Sequence, residues 1–294
     1  MGIEIESKVF SRTSVLEQHP TMEVFIDAGY TLTGGGAWIH YEEPGNLLIE
    51  SYPMQINGGI WSGWKAHGKD VWVSSKAKIT VYAIGIKVIK DGEIVPIEQT
   101  VFTSETTKAE LPDSPDNNGW VGVGGGVKCL QNIFENVALS ETAPIRETPE
   151  ENEIYTKITS WYGTKQFCFS PTSDRGPIGG GSISTFLIAI RAAGISFKTR
   201  IFCAKSEETL RPEVEVLAQG GVVVSGGAVD KQIDMSFTDF AGQTINLLTA
   251  SYPLYDNSNL DQIKGWKAAG KDHHFKSPSK VRVYCVTLEA EEKS

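Results

Sequence analysis

The chain has 294 residues, 40% of them hydrophobic and 21% charged, which is enough apolar material for a packed core. A net charge of −9, with no run of Lys or Arg longer than two, argues against nucleic acid and against an anionic membrane as partner. Thirty glycines suit many turns and strand ends better than long helices.

The N-terminal Met1 to Lys8 has neither a basic segment nor an apolar core of the signal-peptide kind. The expectation is a cytoplasmic protein as written, or one released by a route without a signal peptide. No apolar run approaches the ~18 residues of a membrane helix, so no transmembrane helix is expected. From there the chain reads as short strands. Val24 to Tyr30 and Ala37 to Tyr41 alternate as half-buried strands do, and Leu47 to Ser51 and Lys78 to Ile89 follow. Glu43-Pro44-Gly45, Asn57-Gly58-Gly59 and Asp91-Gly92 punctuate them as turns. No window carries a helical period, and Ser206 to Leu210 is expected to make one helical turn at most. The fold class is all-β.

The pattern then recurs. Ser51-Tyr52-Pro53 returns as Ser251-Tyr252-Pro253, and Trp64-Lys65-Ala66-His67-Gly68-Lys69-Asp70 as Trp266-Lys267-Ala268-Ala269-Gly270-Lys271-Asp272. Val81-Tyr82-Ala83-Ile84 returns as Val283-Tyr284-Cys285-Val286, and Gly34-Gly35-Gly36-Ala37 as Ser225-Gly226-Gly227-Ala228. A drifted middle copy keeps Gly124-Gly125-Gly126, Trp161 and the strand Thr185 to Ile190, and has no Asp at the Asp70 position. Three tandem β modules of about 95 residues are expected, at 1–92, 93–195 and 196–294. They pack either about a pseudo-threefold axis, as in a β-prism, or as successive small sandwiches. The short boundaries near Gly92 and Gly194 favour close packing.

Cys129, Cys168, Cys203 and Cys285 show no metal-site spacing and are expected as free, mostly buried thiols. His273-His274 beside Asp272 is the one metal-like arrangement. Adjacent strand residues point to opposite faces, so no metal is expected. The triple glycine lacks phosphate-loop spacing and is read as a bulge or a place of close backbone packing, with approach to a sugar as the alternative. No G-x-S-x-G, HExxH or Cys/His pairing occurs, and the acidic cluster Glu147, Glu150, Glu151 and Glu153 reads as a solvated loop. A non-catalytic protein without a cofactor is expected.

The candidate ligand site is the Trp motif. Trp61, Trp64 and Trp266 offer aromatic faces to a pyranose ring, and Lys69, Asp70, Lys271 and Asp272 offer groups for its hydroxyls. The competing reading is that the Trp residues pack on their own sheets while Lys-Asp sits in a turn.

Gly29-Tyr30-Thr31-Leu32-Thr33-Gly34-Gly35-Gly36-Ala37, Ser51-Tyr52-Pro53, Trp64 and Val81-Tyr82-Ala83-Ile84 resemble a repeat of bacterial secreted and tail-fibre-like proteins. That resemblance implies a β-rich surface or adhesion module and supplies no catalytic residues. The prism idea is similar at fold level to jacalin-like lectins and to toxin receptor-binding domains, although the jacalin-like unit is about half as long. The expected function is recognition of a carbohydrate or glycosylated receptor. A toxin using the modules for receptor attachment, with membrane contact, and a purely structural assembly protein are the alternatives. A buried Trp64 indole would favour the last.

Overall fold

A computed structural model describes residues 2–56, 59–70, 73–112, 119–129, 137–144, 157–167, 182–231, 247–256, 259–272 and 278–293. The first repeat supplies β1 (Ile3–Thr13), β2 (Thr21–Phe25), β3 (Thr31–Tyr41), β4 (Asn46–Ile56), β5 (Ile60–Asp70) and β6 (Ala77–Lys90), with a short β7 (Glu93–Val95) after it. The second supplies β8 (Glu98–Ser104), β9 (Lys108–Glu110), β10 (Val121–Cys129), β11 (Val137–Ala143), β12 (Ser160–Phe167) and β13 (Ile183–Arg191). The third supplies β14 (Ile195–Lys205), β15 (Glu213–Leu217), β16 (Val222–Lys231), β17 (Leu247–Asp256), β18 (Asn259–Lys271) and β19 (Lys280–Glu292). The chain is all-β, and the described residues contain no α-helix. Ser206 to Leu210 makes a bend instead of a helical turn, pinned where Thr209 bridges Ser279.

The strands form three antiparallel sheets, and no sheet belongs to one repeat. The first runs β1-β6-β3-β17-β18-β15 with β7 beside β6, the second β2-β5-β4-β10-β13-β8, and the third β14-β19-β16-β11-β12-β9. Each repeat splits its six strands the same way and gives three to each of two sheets. Successive small sandwiches, one expected option, are therefore excluded: the repeats exchange strands in a cycle. The exchange occurs at three equivalent pairings. Ala37 faces Ser251 between β3 and β17, Val127 faces Ser51 between β10 and β4, and Ala228 faces Thr142 between β16 and β11.

The glycine triplets explain how three repeats come so close. The first position of each lies where the repeats meet: a Cβ on Gly34 would overlap Ser225, and one on Gly124 would overlap Thr33 and Ser225. The Thr33 hydroxyl donates to the Val224 carbonyl at 2.9 Å, and the Ser225 hydroxyl donates to the Val123 carbonyl. The second position lies under an indole, Gly35 under Trp64, Gly125 under Trp161 and Gly226 under Trp266. The third lies against the neighbouring repeat's backbone, Gly36 on Ser251, Gly126 on Ser51 and Gly227 on Thr142. A register shift precedes every triplet, at Leu32/Gly34, Gly122/Gly124 and Val223/Ser225. The bulge-and-packing reading of the triplet holds. The sugar-approach reading does not, because protein atoms already occupy the space beside each glycine.

One continuous core links all three sheets. β6 and its counterparts β13 and β19 are buried on both faces over most of their length, which is why these segments read as near-unbroken apolar runs. The chain leaves the first repeat through a two-residue Asp91-Gly92 turn with φ of 54° and 85°, the left-handed pair that suits a hairpin.

Candidate functional site

Strand alternation decides what the Trp-Lys-Ala-x-Gly-Lys-Asp motif presents. On β5 Trp64 points into the core, so Lys65 points out, and on β18 the same holds for Trp266 and Lys267. Trp64 is 1% exposed, and Trp161 and Trp266 are 0% exposed. Each indole N–H donates inward to a hydroxyl on the adjacent strand: Trp64 to Ser51 at 2.8 Å, Trp161 to Thr142 at 3.1 Å and Trp266 to Ser251 at 2.9 Å. The expectation that Trp64 and Trp266 stack on a sugar is corrected by this geometry. Their faces are covered by Gly35 and Gly226, and their one polar group is already satisfied.

The second half of the motif also works internally. Lys271, with 3% of its side chain exposed, reaches across to the first repeat's β3–β4 turn. Its Nζ lies 3.0 Å from a Glu43 carboxylate oxygen, donates to the Pro44 carbonyl and sits 4.7 Å over the Tyr41 ring. Arg211 binds the other Glu43 oxygen at 2.9 Å. Lys271 is thus a clamp between repeats. Lys69 is likewise buried, at 6% exposure, and the turn equivalent to the one Lys271 holds lies outside the described residues. Lys271→Met keeps most of the buried stem and removes the charge. Glu43 stays exposed and paired to Arg211, so the expected loss is about 1–3 kcal/mol, read as a lower midpoint in urea unfolding.

Asp70 closes loops of its own repeat: one oxygen lies 2.9 Å from His19 Nε2, and the other accepts the Ser75 N–H at 3.1 Å. Beside them His67 is pushed down to about 4, mainly by burial and then by His19, Lys65 and Lys69. Asp272 donates its backbone N–H to Leu210 at 3.0 Å. Trp61 alone among the predicted Trp residues is half-open, with its ring edge toward Phe186 at 6.1 Å. The seven predicted residues therefore do not converge on one surface site. His273, His274, Cys168 and the acidic cluster lie outside the described residues. Among those described, no group of three His, Cys, Asp or Glu is arranged to hold a metal. Cys285 is a buried free thiol, and burial pushes it up.

The outward-facing partners of the same motifs do converge. Tyr252 of Ser-Tyr-Pro and Lys267 of Trp-Lys are cross-strand neighbours on the outer face of the first sheet. Across the β3–β17 junction Trp38 lies parallel to Tyr252, with ring centres 5.3 Å apart and planes 9° apart. Tyr82 continues the stack at 5.6 Å, and Tyr255 meets Tyr82 edge-on at 6.0 Å. His40 packs on Trp38 at 3.8 Å and shares a 2.7 Å hydrogen bond with the Thr80 hydroxyl. Lys267 pairs with Glu213 at the rim. Burial raises the Tyr252 phenol; Lys267 opposes this and Glu213, Glu215 and Tyr255 add to it, so the hydroxyl stays protonated. Trp38 is 38% exposed and Tyr252 partly so, and the stack thus reaches the surface.

The second junction repeats this plan in a more closed form. Tyr52 stacks on Phe186 at 5.7 Å under Lys128 at 5.2 Å, and Lys65 pairs with Glu23 at 2.7 Å. Tyr52 and Phe186 are 9% and 7% exposed. The third junction has lost the plan: Ala143 stands where Tyr52 and Tyr252 stand, and Val229 where Trp38 stands.

No protein-family model matches the chain, and no curated protein matches it in sequence. The site therefore rests on the chain's own geometry. Sequence reasoning singled out Trp64 and Trp266, which face inward, and missed the outward-facing Tyr252, Lys267 and Trp38. The signal that would have found Tyr252, Lys267 and Trp38 was the strand alternation itself, applied to the motif residues.

Proposed function

We propose that the chain is a non-catalytic recognition protein that binds a saccharide, free or on a glycosylated receptor, over Trp38 and Tyr252 on the outer face of the first sheet. The observation that carries this reading is the partly exposed Trp38–Tyr252 stack with the Lys267–Glu213 pair beside it. An open aromatic surface attracts the C–H face of a sugar ring, and the rim groups suit its hydroxyls. Lys267 is raised: burial works against its charge, and the hydrogen bond to Glu213, with Tyr252, Glu213 and Glu215, outweighs that. A charged donor thus stands beside carboxylate acceptors. The burial of Trp64 and Trp266 supports a packing role for those residues and leaves recognition to the outer face. Among the described residues, no helix is long and apolar enough to cross a membrane.

A glycan array followed by calorimetry on the best ligand tests the reading. Trp38→Ala and Lys267→Met are each expected to weaken binding at least tenfold, and Trp38→Ala should leave the melting temperature within a few degrees because its side chain lies on the surface. An array silent for the wild type sinks the saccharide. Binding that survives both substitutions sinks the site.

A further inference from the structure

Asp230 stands on β16 where β3 carries Ile39. Ile39 pairs with Ile79 and packs on Gly68; Asp230 pairs with Val281 and packs on Gly270. The covering loops match as well, since Gly68 donates its N–H to Pro20 and Gly270 to Pro212, at 2.8 and 2.9 Å. A carboxyl group thus fills a hydrophobic slot. It is 5% exposed, and neither oxygen has a partner in hydrogen-bond geometry. The Ser279 hydroxyl is the polar group that faces it.

Ionisable groups on the surrounding elements are Lys271 and Asp272 at the end of β18, Lys280 and Arg282 on β19, Glu141 on β11 and Arg211 in the β14–β15 connection. Lys271 and Arg211 are engaged with Glu43. Among the described residues, none of these groups is hydrogen-bonded to Asp230. Burial dominates and moves its acid from 3.8 to about 7, with Ser279 the one opposing influence.

We infer that Asp230 is a proton-operated latch on the junction between the third and first repeats. Neutral, it fits beneath Gly270 and lets the next residue, Lys271, seat on the Glu43–Pro44 turn. Charged, it has no counter-ion among the described residues and only the Ser279 hydroxyl facing it, too little to replace water, and the end of β18 must lift to hydrate it. The folded state keeps a proton that the unfolded or opened state gives up at its ordinary value. Opening is therefore favoured as pH rises from about 4, and the effect levels off above about 7.

Hydrogen exchange at the amides of Gly270 and Asp272, corrected for the intrinsic pH dependence of exchange, tests the latch. Between pH 5 and 7 the opening constant of the wild type is expected to rise about 50-fold, most steeply below pH 6 and flattening toward pH 7. Asp230→Ile, which restores the residue of the first repeat, and Asp230→Asn, which keeps the shape without titrating, are both expected to give a flat profile. A flat wild-type profile overturns the latch, and so does an equal slope in either variant. A slope spread evenly over all three sheets overturns its placement at this junction.

Discussion

Trp266→Ala is expected to destabilise the protein by about 3–5 kcal/mol, enough to consume much of the stability of an ordinary domain. The indole is fully buried, fills the space over Gly226 and satisfies the Ser251 hydroxyl. Truncation empties that space and leaves Ser251 without its donor. Gly226 has no side chain to fill the gap, and backbone from the neighbouring repeat fixes the triplet beside it. Trp266→Phe keeps most of the packing and loses the N–H, so a smaller penalty of about 1–2 kcal/mol is expected. Urea unfolding followed by tryptophan fluorescence and circular dichroism measures both. A Trp266→Ala protein within 0.5 kcal/mol of wild type, on the order of a surface substitution, would return the residue to the list of ligand-binding candidates.

Gly126→Ala carries the second large effect. Its Cβ would enter the space of the Ser51 carbonyl, Tyr52 Cα and Pro53 Cδ, on the strand that joins the second repeat to the first. Backbone cannot rotate aside as a side chain can. The β10–β4 pairing must separate, at about 3 kcal/mol, the upper end for overpacking. Gly59→Ala is the matched control, because a Cβ there meets nothing within 4 Å. It is expected to move the melting temperature by no more than a degree or two, while Gly126→Ala lowers it by roughly 6 degrees or more. Equal shifts in the two variants would show that the triplet is not needed for the close approach of repeats.

The sequence carried the strand character, the threefold recurrence and the packing sense of the glycine triplets. Each of these is local, read from alternation, turn residues and spacing. The exchange of strands was out of reach because alternation tells which face a residue takes and not which strand lies beside it. Ala37 and Ser251 carry no mark of being neighbours. The middle copy reads as drifted for a related reason: Thr142 replaces Ser51 in sequence but keeps its hydroxyl under Trp161, so the chemistry survives where the letters do not. The Trp motif was misassigned because residues from both faces of one strand were taken as one site: Trp64 and Lys69 lie five positions apart on β5 and face opposite sides. Asp230 was legible in principle, as an acid standing where the first repeat has Ile39. Its burial and lack of partners were not.

The pairing of β3 with β17 also sets a timetable. While the chain is being made, β1 to β6 can fold against one another early, yet the free edge of β3 must wait until about residue 250 has emerged. A closure over more than two hundred residues is entropically expensive and slow, and an exposed strand edge that waits is open to wrong partners. Loss of the third repeat's strands would therefore strip half a sheet from the first repeat as well, so the third repeat is the one that finishes the first.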